Sequence, residues 1–179
     1  MTNSVAIFCG SALGSDQIFS ETARQVGHTI AEQGKTLVYG GGRSGLMGIV
    51  ADSALEACGQ VIGVIPHVLV DRELAHQGLT ELHVVKDMQE RKLKMSALSD
   101  GFIAMPGGAG TLEEIFEQWT WAQLGIHLKP NAFLNVNGFY DDLLKFLKMT
   151  TDKGFTHARF TDSLIVSDSV KAILKQMDQ

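Results

Sequence analysis

Short apolar runs and longer stretches of helical period alternate along the whole chain. Runs at 5–8, 36–39, 61–65, 82–85, 102–105, 133–136 and 164–166 have strand length and are rich in β-branched or aromatic residues. Between them, segments at about 16–33, 44–59, 87–99, 111–124, 140–153 and 168–177 repeat their apolar positions with a helical period. The punctuation agrees: Asp16 is placed to cap the first helix, Gly34 to end it, and Gly59 to stop the second. Strand–helix–strand units pair their strands in parallel through right-handed crossovers. The expected fold is therefore α/β, a doubly wound parallel sheet of about seven strands with helices on both faces. With 179 residues, no internal repeat and no Pro- or Ser-rich linker, residues 1–179 read as a single domain.

In such a sheet, ligands bind beyond the carboxyl ends of the strands. That rule selects five loops: Gly10-Ser11, 40–45, 66–73, 86–91 and 106–111. Two of them concentrate the glycines, which number 19 of 179 against a usual share of roughly 7%. Residues Gly40-Gly41-Gly42-Arg43-Ser44-Gly45 have GxGxxG spacing ahead of a helix, which suits a phosphate, and a tight strand-to-helix turn explains the same glycines. A dinucleotide fingerprint belongs to the first unit, with an acid ending the next strand. Here it lies in the second unit and Ile65 is followed by Pro66, which counts against NAD. Leu46 stands where a Walker A loop requires lysine.

The stretch Pro106-Gly107-Gly108-Ala109-Gly110-Thr111-Leu112-Glu113-Glu114 is more specific: bare amides and a hydroxyl at a helix start form an anion cradle. On the helix that follows, Leu112, Ile115, Phe116, Trp119 and Ala122 form the core stripe, leaving Glu114, Gln118 and Trp121 on another face. The two acids also complement a helix dipole. Arg91 falls on the stripe of Met88, Met95 and Leu98, where a buried ion pair or recognition of a phosphate or carboxylate explains it. Met88 and Met95 are expected in the core.

Composition narrows the field further. The net charge is −5 and no Lys/Arg run exceeds Arg91-Lys92, so nucleic acid is not an expected partner. The longest apolar stretch, 61–70, is too short and interrupted to cross a membrane, and residues 1–4 do not begin a signal peptide, so a cytoplasmic location is expected. Cys9 and Cys58 both lie in apolar sequence and read as inert thiols. The six histidines show no metal-ligand spacing, and Gly-x-Ser-x-Gly is absent.

Together these residues resemble the Lonely Guy family of cytokinin-activating phosphoribohydrolases, often labelled lysine decarboxylase-like, over nearly the whole chain. The resemblance rests on Phe8-Cys9-Gly10-Ser11, Tyr39-Gly40-Gly41-Gly42, Gly45-Leu46-Met47-Gly48, the VIGVIP run at 61–66, Arg72-Glu73-Leu74, Arg91-Lys92, PGGxGTxxE from Pro106 to Glu114, and TWAQLGIH at 120–127. It implies a Rossmann-like homodimer that hydrolyses the N-glycosidic bond of nucleoside 5′-monophosphates with an N6-modified adenine, without metal or cofactor. Position by position it implies catalysis by Arg91 and Glu114. It assigns Glu73, Lys92, Gly108, Ala109, Gly110, Thr111, Leu112, Glu113 and Thr120 to substrate binding, and Gly10, Ser11, Gly41 and Gly42 join them as loop residues of the same edge. Arg91 either binds the phosphate or holds Glu114 ionised and aimed. Two positions depart from the family: Gln89 replaces the histidine of MHxRK, and Ala109 stands where an aromatic is common, which bears on base preference. A nucleosidase for AMP or pyrimidine monophosphates, or a non-catalytic nucleotide-binding module, fits the same scaffold. A pyridoxal decarboxylase does not, because no lysine follows a histidine and the chain is short for that cofactor.

Overall fold

In this computed structural model, which describes residues 2–70 and 75–179, every strand of the sheet runs parallel to its neighbours. The strands are β1 (Ser4–Phe8), β2 (Thr36–Tyr39), β3 (Val61–Pro66), β4 (Glu81–Val85), β5 (Gly101–Ala104), β6 (Asn131–Leu134) and β7 (Ile165–Ser167). Their order is β4-β3-β2-β1-β5-β6-β7. The chain steps outward from β1 to β4, then crosses back to the other side of β1 and steps outward again. The direction reverses between β1 and β5, and a crevice opens there at the carboxyl edge.

Alternate residues of each strand face opposite sides, and both sides are covered. Val5, Ile7, Leu37, Ile103 and Leu134 pack against α1 (Gln17–Glu32), α2 (Gly45–Glu56) and α7 (Val170–Met177). Ala6, Phe8, Val38, Val64, Phe102 and Phe133 pack against α3 (Met88–Ala97), α4 (Ala109–Gln123) and α5 (Asp141–Asp152). Burial on both faces explains why β1, β2, β3, β5 and β6 are largely apolar runs, whereas the edge strand β4 leaves Leu82 and Val84 exposed. Asp16 caps α1 by accepting from the Ile18 amide, and Gly34 follows its end with φ +66°, as their residue types predict.

Four expectations shift. β6 begins at Asn131, two residues before the expected run, because it pairs from there with Phe102, and the chain turns after Leu134 through Asn137 at φ 48°. α4 opens at Ala109 and not at Thr111, since Gly108 already takes the extended cap conformation. A single-turn helix, α6 (Ala158–Asp162), appears where no element was expected. Cys58 is exposed at φ 60° in the turn after α2 and is not a core thiol.

Candidate active site

Three post-strand loops are stitched together at the crevice. The Gly10 amide donates to the Pro106 carbonyl and the Leu46 amide to the Gly10 carbonyl, both at 3.1 Å. This crowding fixes the residue type at Gly45: with φ +58°, a Cβ would lie 2.3 Å from the carbonyl carbon of Ser11. Beside this stitch lies a cleft of about 320 Å³ walled by Cys9, Gly10 and Ser11, by the start of α4 from Gly108 to Thr111, and by Arg91, Glu113 and Glu114, with Met47, Leu69 and Met88 completing it.

Each wall contributes differently. Nothing lies within 4 Å of where a Cβ would stand on Gly108 or Gly110, so the α4 terminus is approachable by a ligand. Its first amides have no partners inside the helix, and the helix dipole places positive potential there. Arg91 is 5% exposed, and its guanidinium hangs from the β3 backbone and the loop after β2: Nε donates to the Val64 carbonyl at 3.1 Å and Nη2 to the Gly40 carbonyl at 3.0 Å. Its Nη1 lies 3.7 Å from Met88 Sδ, so the cation is held by its edge and aimed at the cleft.

Cys9 registers both charges. Burial raises its thiol pKa far above the usual value, the carboxylate of Glu114 raises it further, and the guanidinium of Arg91 pulls it down. The thiol therefore stays protonated at neutral pH, and Cys9 is a wall and not a nucleophile. Tyr39, behind the same wall, is likewise raised by burial first and by Asp52 next.

The resemblance-implied residues separate on this map. Arg91, Glu114, Glu113, Gly10, Ser11, Gly108, Ala109, Gly110 and Thr111 meet in the cleft. Lys92 stands outside, its Nζ bonded to Glu113 and, at 2.9 Å, to Glu117. Leu112 packs against the core beside Ile115. Gly41 and Gly42 face the other way: the Gly41 carbonyl accepts from the His76 amide at 2.9 Å, and Gly42 bridges to Ala75. Thr120, exposed, turns its hydroxyl back onto the Phe116 carbonyl at 2.7 Å, about 13 Å along α4 from Thr111. Glu73 lies outside the described residues.

Two expectations about helix faces are overturned. Gln118 does not share an outer face with Glu114. It is 1% exposed, and its Oε1 accepts from Ser96 Oγ at 2.8 Å because α3 covers that side. Met88 is not core: at 40% exposure it lines the cleft, whereas Met95 is buried. The position of Met88 one residue after the Asp87 cap, at the carboxyl edge, was the available signal for it, as adjacency to a strand end was for Cys9.

Residues 47–177 match the family described as "possible lysine decarboxylase". The chain is 42% identical over 175 residues to the probable cytokinin riboside 5′-monophosphate phosphoribohydrolase LOGL1 of Oryza sativa, covering 98% of this chain and 78% of that one. It is 41% identical to cytokinin riboside 5′-monophosphate phosphoribohydrolase LOG7 of Arabidopsis thaliana, with 98% and 81% covered. Among solved structures it is similar to the molybdenum cofactor binding protein of Rippkaea orientalis, with TM-score 0.73, 19% identity and 99% and 96% covered. The Moco carrier protein of Chlamydomonas reinhardtii gives TM-score 0.72, 21% identity and 99% and 98% covered, and at these identities both share the fold alone.

Proposed function

The chain belongs to the Lonely Guy family, and we propose that it hydrolyses the N-glycosidic bond of N6-modified adenosine 5′-monophosphates, giving the free base and ribose 5-phosphate. The observation that carries this reading is the convergence of an open helix N-terminus, a buried guanidinium and Glu114 on one cleft at the strand-order reversal. The α4 terminus receives the 5′-phosphate, with Gly10 and Ser11 as the opposite wall. With the phosphate there, the sugar falls within reach of Glu114, five residues after Ala109 at the helix start. As the C1′–N bond breaks and its electron pair leaves with the base, the ribose becomes oxocarbenium-like. The carboxylate of Glu114 stabilises this charge and takes a proton from the water whose oxygen adds to C1′; the departing base takes up a proton from solvent, and Glu114 returns its own to solvent. Arg91, lining the same cleft, serves to aim Glu114.

A pyridoxal cofactor, implied by the family's description, does not fit. A Schiff-base amine has to lose its proton. No lysine among the described residues lines the cleft, and Lys92 Nζ is engaged by Glu113 and Glu117, whose bonds raise its pKa against the opposing effect of burial.

The protein is further proposed to work as a cytoplasmic homodimer. Leu124, Ile126 and Leu128 are 70%, 62% and 94% exposed just past α4, beside half-buried Trp121, an apolar surface suited to a second copy. No helix among the described residues is long and apolar enough to cross a membrane. The deciding experiment is chromatography of isopentenyl-AMP incubated with EDTA-treated protein. Release of free base is expected, and the unphosphorylated nucleoside should react far more slowly. Equal rates, or no base, would overturn the assignment.

A further inference from the structure

Two neighbouring charged residues on α3, Arg91 and Lys92, face three acids on α4 in a split arrangement. The inner pair, Arg91 and Glu114, lines the cleft. In the outer pair, Lys92 Nζ bonds to Glu113 and to Glu117 one turn further along, and neither Lys92 nor Glu117 lines the cleft. The Lys92 and Glu117 side chains are 14% and 25% exposed, so the contact is partly shielded from water. Glu117 Oε2 is buried without a hydrogen-bond partner, so loss of Lys92 strands a partly desolvated carboxylate. One turn after Lys92, Ser96 bonds to Gln118 at 2.8 Å, making the α3–α4 seam a continuous polar join.

On the reading of the cleft given above, we propose that Lys92 is a positioning residue and not a substrate ligand: through Glu113 and Glu117 it clamps α3 to α4 and so sets the spacing of Arg91 and Glu114. Its ammonium already has two carboxylates on it, and the helix backbone carries each constraint to the adjacent residue that faces the cleft. A substrate-binding lysine and a clamp make opposite predictions for Glu117. If Lys92 bound phosphate, neutralising Glu117 would free it for that task. In a clamp, neutralising Glu117 reproduces the loss of Lys92.

The test measures kcat and KM on isopentenyl-AMP for Lys92→Met, Glu117→Gln, the double variant and Lys92→Arg, with amide hydrogen exchange across 88–97 and 109–123 on the same proteins. Each single neutralisation should lower kcat about fivefold or more with KM within about twofold. The double variant should be no worse than Lys92→Met, and Lys92→Arg should recover most of the rate. Exchange in the first turn of α4 should quicken equally in both singles and no further in the double. A KM increase of about tenfold in Lys92→Met beside a normal Glu117→Gln overturns the proposal, as do multiplicative effects in the double. If the wild type turns over no nucleotide, the reading of the cleft fails instead. The exchange cycle then decides the clamp alone, non-additive rates supporting it and additive rates overturning it.

Discussion

The guanidinium of Arg91 donates from Nη2 to the carbonyl oxygen of Gly40 at 3.0 Å, so the cation of α3 is seated on the loop that ends β2. A Cβ at position 40 would stand 1.9 Å from that same nitrogen. The glycine is needed for the approach of a side chain from 51 residues away, and its φ is unexceptional.

Gly40→Ala should therefore displace Arg91 while leaving the fold in place. Misplacement by about 1 Å at a catalytic group costs up to about 10²-fold in rate. A loss of turnover of at least about tenfold with an unchanged circular dichroism spectrum is expected. Full activity would show that Arg91 tolerates the shift.

Glu114→Gln keeps size and hydrogen bonding but removes the charge that opposes the oxocarbenium ion. The expected result is a kcat about 10²-fold lower with AMP affinity little changed, read by rate assay and calorimetric titration. Near-normal kcat would remove Glu114 from the mechanism.

Arg91→Ala should both abolish turnover and destabilise the protein. Two buried carbonyls, of Val64 and Gly40, lose their donor, which costs about 2–5 kcal/mol in urea unfolding. If Arg91 serves mainly to aim Glu114, AMP still binds this variant. A drop in affinity of about 1.5–3 kcal/mol instead marks it as a phosphate ligand.

Acid should loosen the amino-terminal edge. Asp178 is held below the usual carboxylate range by its bond to Lys35 and by the Thr2 amide. Burial opposes ionisation at Asp100, but bonds from the Asn3 and Ser4 amides and the Ser4 hydroxyl outweigh it and lower its pKa too. Both groups are depressed in the folded state. Their stabilisation is thus full above the unfolded value of about 3.9 and is lost as pH falls through the folded values. Thermal midpoints of the wild type and an Asp100→Ala, Asp178→Ala variant should differ at pH 7 and converge towards about pH 2. Curves that stay equally far apart would refute the linkage.

Sedimentation equilibrium at micromolar concentration should report twice the 19.4 kDa chain, and Leu128→Asp, altering the most exposed of the apolar residues past α4, should shift it towards monomer. A wild type that sediments only at 19.4 kDa would count against the second copy.

Much of this protein is legible in the order of its residues because periodicity and punctuation are local. Strand-length runs between helical stretches determine an all-parallel α/β sheet, Asp16 and Gly34 bound α1, and Pro106–Glu114 announces an anion-binding helix start at the carboxyl edge. What periodicity determines is which face of a segment is apolar. It does not say which segment covers the remaining faces. Gln118 looked outward until α3 supplied Ser96 across 22 residues, and Arg91 looked out of place on an apolar stripe until Val64 and Gly40 supplied carbonyls across 27 and 51. Lys92 and Glu113, adjacent in sequence to Arg91 and Glu114, were indistinguishable from them as charges. Only the packing of α3 beside α4 placed Arg91, Glu113 and Glu114 on the cleft and left Lys92 outside it, joined to Glu113 and Glu117. A polar side chain in a protein takes the partner that tertiary packing brings within about 3 Å, and that choice is made between segments distant in sequence.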